Sequence, residues 1–312
     1  MSSLSIILLI AGFSLLGFVL SYFIVNEMLF KKFFGKAEKN IRKNSLTDAH
    51  YLPVKDEMLL YAERLEKRSK KTFFIAGEGG TRLCADLYGE KGGALIIMAH
   101  GLHSVPSYNF GFIAEQAIKR GYDLLVIDQR AHGRSGGKYA YYGKKECEDL
   151  LRWIDFAEKE LKYKIIFLHG VSMGAAAIGY ASDRIESQAV KGGIMDCGFT
   201  SAGAVAGNLV KTKHLPGFIF MRYLYIRAKL TLKLDMVNDR VTEHIKNSRI
   251  PILFFHGDKD DVAPIEGTET LYRECGAEKR FITIAGAGHT TAAVIGKEQF
   301  TEEYFGFIEK YL

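Results

Sequence analysis

His169-Gly170-Val171-Ser172-Met173-Gly174 follows directly on an apolar run at 165–168 and opens a stretch of helical character from Met173 onward. A strand, a sharp turn and a helix in that order make a nucleophile elbow: glycines permit a turn too tight for side chains, and the turn lifts the hydroxyl above the sheet. Chance matches to this short pattern occur in ordinary turns, and the strand–turn–helix setting is what separates this one from them. A serine hydroxyl is a weak nucleophile; it needs a base, and the base needs a carboxylate to orient it. In a fold with this elbow the acid and the base follow the serine in that order. Two later loops supply candidates: His256-Gly257-Asp258-Lys259-Asp260-Asp261-Val262-Ala263-Pro264 after the run 252–255, and Ala285-Gly286-Ala287-Gly288-His289 after the run 281–284. His289 is the expected base, with Asp258, Asp260 and Asp261 as candidate partners. The chemistry implied is acyl transfer through a covalent intermediate on Ser172. The backbone N–H of Met173 is one expected donor to the oxyanion that forms on the way.

These residues need a scaffold that brings three distant loops to one edge. Continuous apolar runs occur at 94–99, 123–127, 165–168, 192–195, 252–255 and 281–284. Such runs suit strands covered on both faces. Helical stretches at 110–120, 145–160 and 173–185 alternate with them, and a hairpin is expected from 72–75 and 82–88 around Gly77-Glu78-Gly79-Gly80. The glycines there belong to a turn and not to a phosphate loop. The alternation predicts an α/β fold, a mostly parallel sheet flanked by helices, with ligands bound at the C-terminal edge of the strands. A long insert at about 200–247, helical in pattern and rich in large apolar and basic residues, is placed to cap a pocket there.

Three further motifs carry a family resemblance. They are His100-Gly101-Leu102-His103-Ser104, Asp128-Gln129-Arg130-Ala131-His132-Gly133-Arg134-Ser135-Gly136 and Asp196-Cys197-Gly198-Phe199-Thr200-Ser201. With the elbow and the two late loops, the chain from about 73 to 312 resembles the α/β-hydrolase superfamily, and within it the bacterial membrane-anchored serine esterase, lipase and aminopeptidase-like (S33-like) group. The resemblance implies a second oxyanion donor, the N–H of Leu102. Its G-x-x-D-x-x-V-P pattern selects Asp260, leaving Asp258 and Asp261 as turn carboxylates. No cofactor and no metal are expected. Ala131, Ala175 and Ala263 depart from the family's usual residues, all by small changes. Of the other histidines, His132 is expected to hold a turn, His103 is a candidate substrate contact, and His169 and His256 are read as strand-end packing.

The 312-residue chain has a net charge of +6, but six basic residues within 1–43 (Lys31, Lys32, Lys36, Lys39, Arg42, Lys43) stand against only Glu27 and Glu38. The basicity is therefore juxtamembrane, and a nucleic-acid partner is not expected. Four dispersed cysteines with no C-x-x-C pair argue against zinc and for free thiols. Residues 4–25 carry no charge; as a helix they span roughly 33 Å, against about 30 Å of bilayer hydrocarbon. A cleaved signal peptide would need a basic segment before that run and a small-residue cleavage site after it. The expectation is an uncleaved transmembrane anchor over 1–30 and a basic linker over 31–71 with an amphipathic helix at 54–68. The hydrolase domain is expected over 72–312. The positive-inside rule places that domain in the cytoplasm, at the cell membrane. The expected activity is hydrolysis of carboxylic esters, acyl or lipid-like. An S33-like peptidase, a thioesterase, and a catalytically silent membrane-tethered binding module are the alternatives.

Overall fold

A computed structural model describes residues 3–37, 46–90, 92–212 and 217–312. Lys39, Arg42 and Lys43 of the basic linker lie outside the described residues. The chain opens with helix α1 (Ser3–Phe34) and α2 (Lys55–Glu66), then strands β1 (Lys71–Ala76), β2 (Arg82–Tyr88) and β3 (Leu95–Ala99). Helix α3 (Pro106–Lys119), β4 (Asp123–Asp128), α4 (Glu146–Lys159), β5 (Ile166–Val171), α5 (Met173–Ala181) and β6 (Val190–Asp196) continue the alternation. Helices α6 (Ala202–Thr212), α7 (Gly217–Leu232) and α8 (Thr242–Ile245) form the insert. The chain closes with β7 (Ile252–Gly257), α9 (Ile265–Glu274), β8 (Lys279–Ile284), α10 (Ala292–Ile295) and α11 (Lys297–Lys310).

The eight strands form one sheet in the order β1-β2-β4-β3-β5-β6-β7-β8. Among these strands β1–β2 and β2–β4 pair antiparallel, and every other neighbouring pair is parallel. This is the α/β-hydrolase fold. Strands β3, β4, β5 and β7 are buried at every residue, the condition that a continuous apolar run satisfies. Strand β8 differs from the two-sided cover expected of 281–284. Its burial alternates because β8 lies at the sheet edge, with Thr283 exposed between Ile282 and Ile284.

The parallel register sets the positions of the loops that carry chemistry. Val171 pairs with Asp196, and Gly257 with Ile284, so the chain leaves β5, β6, β7 and β8 along a common edge. Two buried apolar clusters cover the sheet. One includes Trp153, Leu168, Ile178 and Phe254, and the other includes Phe110, Phe167, Phe255 and Tyr304.

Helix α1 is 32 residues long, and its apolar stretch is exposed along its length. It is long and apolar enough to cross a membrane. The helix does not end with that stretch. Phe30, Phe33 and Phe34 are buried in the first cluster, with the Phe33 ring stacked on Tyr142 at 4.6 Å. Gly35 forms an antiparallel bridge with Tyr139, and the Ala140 N–H donates to the Phe34 carbonyl.

Candidate active site

Ser172 stands between β5 and α5 with φ 54° and ψ −110°, a strained conformation for a residue with a Cβ. Its flanking glycines have a measurable reason. A Cβ at Gly174 would lie 1.8 Å from the Ala99 carbonyl oxygen on β3, and one at Gly170 would lie 2.3 Å from the Gly174 backbone. The elbow thus fits only where helix and strand touch backbone to backbone.

His289 follows β8 on its loop and directs Nε2 at Ser172 Oγ, 3.0 Å away. Its Nδ1 lies 2.6 Å from Asp260 Oδ2. Asp260 Oδ1 accepts the N–H groups of Val262 and Ala263 at 2.9 and 2.8 Å, which locks the carboxylate in its loop. The neighbouring Asp261 is 74% exposed, against 0% for the Asp260 side chain. Burial pushes the Asp260 carboxyl up, but the imidazoles of His289 and His256 outweigh it, and the group sits well below the usual aspartate range. For His289 burial acts downward, and the charge and hydrogen bond of Asp260 with the charge of Asp196 carry the net shift upward.

Met173 is the first residue of α5, so its N–H belongs to the helix start, where no intrahelical acceptor exists. Leu102 follows Gly101, whose N–H donates to Asn109 Oδ1 at 2.9 Å. A Cβ added at Gly101 would lie 3.4 Å from Ser172 Cβ, so this loop runs directly against Ser172. The loop's shape comes from two buried histidines. His100 spans the Gly101 carbonyl and the Gln129 N–H, and His132 spans the Arg130 carbonyl and the His103 N–H. Burial holds both rings below the ordinary histidine range, in keeping with one nitrogen donating and the other accepting. His103 turns at φ 48°, and its Nε2 lies 3.0 Å from the Gly35 carbonyl oxygen at the end of α1.

His169 fits the expected strand-end packing, between Phe110 and Tyr304, with its pKa lowered by burial to about 3. His256 does more than the packing expected of it. Its Nε2 faces both Asp260 Oδ2 at 3.2 Å and the Ala263 carbonyl at 2.8 Å, and Nδ1 meets Thr268 Oγ1. The acid therefore lies between two imidazoles.

Three neighbours escaped sequence reasoning as site residues. Asp196, at the end of β6, is buried with Oδ1 unpartnered, and burial raises its pKa to about 7 against the pull of His256 and His289. Cys197 Sγ lies within 4.8 Å of the ligand atoms of Asp260 and His289. Since Asp260 and His289 bond each other at 2.6 Å, the arrangement is an acid–imidazole pair beside a thiol. Tyr51, from the segment before α2, bonds Thr290 Oγ1 at 3.0 Å next to His289. Asp196 and Cys197 stand within a motif visible in the sequence; Tyr51 had no such signal.

A cleft of about 770 Å³ opens under the insert, lined by residues including Phe199, Val205, Tyr225, Met236, Ala263 and Pro264. It reaches the loop that carries Asp260, while Ser172 itself is only 7% exposed.

Fold and elbow together define a hydrolase of the α/β-hydrolase superfamily. The chain belongs to the serine aminopeptidase S33 family, whose model matches residues 90–211 and 221–293. It is similar to the uncharacterised protein YqkD of Bacillus subtilis, 26% identical over 201 residues, 61% of this chain and 63% of that protein. It is also similar to the thiohydrolase aneE of Aspergillus aculeatus, 33% identical over 122 residues, 37% of this chain and 38% of that protein. The chain spans under two thirds of the length of these curated relatives. An esterase of Pyrococcus furiosus shares the fold with a TM-score of 0.66 at 22% identity, over 80% of this chain and 93% of its own.

Proposed function

We propose that the protein is a membrane-tethered serine hydrolase that cleaves carboxylic esters, acyl or lipid-like, through an acyl-enzyme on Ser172. The observation that carries this reading is the unbroken chain from Ser172 Oγ through both nitrogens of His289 to Asp260, at 3.0 and 2.6 Å. His289 Nε2 takes the Ser172 proton as Oγ attacks the acyl carbonyl, and Asp260 stabilises the imidazolium that results. The N–H groups of Leu102 and Met173 receive the oxyanion. His289 then protonates the leaving alcohol, and water activated by the same nitrogen releases the acid and restores Ser172. The cleft under the insert has a mixed lining, with Phe199, Val205 and Met236 beside charged residues such as Arg240, Glu243 and Lys246, so it offers an apolar patch for part of an acyl group next to polar contacts.

The test is labelling by a fluorophosphonate probe beside Ser172→Ala, with hydrolysis of p-nitrophenyl esters of rising chain length. Labelling of the wild type alone, and turnover lower by about 10⁴-fold or more in Ser172→Ala, is the expected result. An unlabelled wild type would mean a catalytically silent fold acting as a binding module. A second reading follows from the family's description as serine aminopeptidases and from the thiohydrolase among the relatives. The same triad serves amides and thioesters. Inactivity on every ester, with hydrolysis of aminoacyl amides or acyl thioesters, would transfer the assignment to one of those.

For the tether, the uncharged run in α1 is taken as an uncleaved span, with the hydrolase domain in the cytoplasm. Its support is the exposure of that run beside a helix end embedded in the domain at Phe30, Phe33 and Phe34.

A further inference from the structure

Helix α7 of the insert packs directly on α1, and the contacts fix its direction. The Tyr223 ring lies 6.3 Å from both Tyr22 and Phe23, and its hydroxyl donates to Glu27 at 3.1 Å. One turn later, Arg227 bonds Glu27 and lies over the Phe30 ring at 5.1 Å. Rising numbers on α7 meet rising numbers on α1, so the two helices run in the same sense. The start of α7 therefore points back along the uncharged run of α1. Phe218 lies five residues before Tyr223, about 7.5 Å along the helix at about 1.5 Å per residue, beside the part of α1 that has no charged side chain.

The outer face of α7 has the composition of an interfacial surface. Phe218, Arg222, Ile226 and Leu230 follow at intervals of four, so they share one face, and all four are exposed. Phe218 is 81% exposed, a large apolar ring with little protein around it. Opposite them, Leu224, Ala228 and Leu232 are buried. From Cys197 to Leu234 the chain has no acidic residue but carries Lys211, Lys213, Arg222, Arg227, Lys229 and Lys233. Arg227 and Lys229 are paired with Glu27 and Asp235, which leaves the Phe218 end of the helix with Arg222 one turn further on. An exposed aromatic ring followed by a basic side chain matches an anionic phospholipid surface, where apolar side chains enter the acyl boundary by about 5–10 Å.

We propose that the cap is a second membrane contact: the Phe218 end of α7 enters the bilayer beside α1, and Arg222 and its neighbours meet anionic headgroups. The proposal rests on the reading of α1 as a span. It deepens the functional assignment, because a cap seated in the bilayer holds the hydrolase domain against the surface in which lipid-like esters reside. The experiment uses the full chain in vesicles of phosphatidylcholine and phosphatidylglycerol, with and without brominated acyl chains. The chain has one tryptophan, Trp153, buried in the core, so an added tryptophan is read over a constant background. Phe218→Trp is compared with Phe13→Trp inside the apolar run and Phe74→Trp on the exposed edge strand β1, each checked for folding by fluorophosphonate labelling. The expected result is blue-shifted emission and loss of fluorescence on brominated lipid for Phe218→Trp and Phe13→Trp, and no loss for Phe74→Trp. Loss at Phe13→Trp without loss at Phe218→Trp overturns the cap contact and leaves the span standing. No loss at either position overturns both.

Discussion

Asp260 and Asp261 are adjacent in sequence and opposite in environment, which makes the loop a direct test of residue roles. The Asp260 carboxylate is buried against His289, whereas Asp261 faces solvent. Asp260→Asn removes the charge that orients His289 and stabilises its cation, and turnover is expected to fall by about 10⁴-fold. Asp261→Asn is expected to leave kcat/KM within about twofold, as an exposed carboxylate contributes little to a charge several ångströms away. The acidic limb of the pH profile tests the electrostatics. As the proposed base His289 works only when neutral, and its pKa is raised, so activity is expected above that pKa and is expected to be lost as pH falls through it. Asp196 is among the charges that raise it. In Asp196→Asn the acidic limb of kcat/KM is therefore expected to move to lower pH. A limb that stays in place would remove Asp196 from the site's electrostatics.

Among the packed elements, two contacts bear on stability. Helix α5 approaches β3 so closely at Gly174 that an added methyl meets the Ala99 carbonyl. Gly174→Ala is expected to destabilise by about 1–3 kcal/mol, measured by denaturant unfolding in detergent. The end of α1 is the other contact. Phe34 is fully buried among Phe30, Phe33 and Tyr142, so Phe34→Ala should cost about 3–5 kcal/mol. A mere tether would tolerate that change without loss of stability. The segment joined to this helix also meets the loop of Leu102, through the Gly35 carbonyl at His103, and the turn after β4, through the Ala37 N–H at the Ala131 carbonyl. The end of α1 thus has a place in the core and a neighbour in the loop proposed to bind the oxyanion.

For the molecule as a whole, the proposed anchor makes a prediction independent of catalysis. The full chain should sediment with membranes and resist carbonate extraction, and release into the soluble fraction would rule out a span. Protease protection of a C-terminal tag in right-side-out cells checks orientation: protection is expected if the domain is cytoplasmic. The two tests concern different claims, since an anchored chain with a cleaved tag would retain the span and reverse the side.

The elbow, the α/β alternation and the His289 loop were all legible before any fold was known, because each depends on local chemistry: glycines at a tight turn, apolar runs of strand length, a histidine just after a strand. The apolar N-terminal run was equally plain, since length and absence of charge are enough to mark it. What those features meet emerged only in three dimensions. The family spacing singles out Asp260, but why it is buried beside exposed Asp261 depends on how the loop after β7 folds, which residue type does not encode. His256 behind the acid, Asp196 without a partner for Oδ1, and Tyr51 beside His289 arise where segments far apart in the chain converge. The same holds for α7 alongside α1, 200 residues apart at Arg227 and Glu27. Such contacts follow from the packing of whole elements, to which a local pattern is blind.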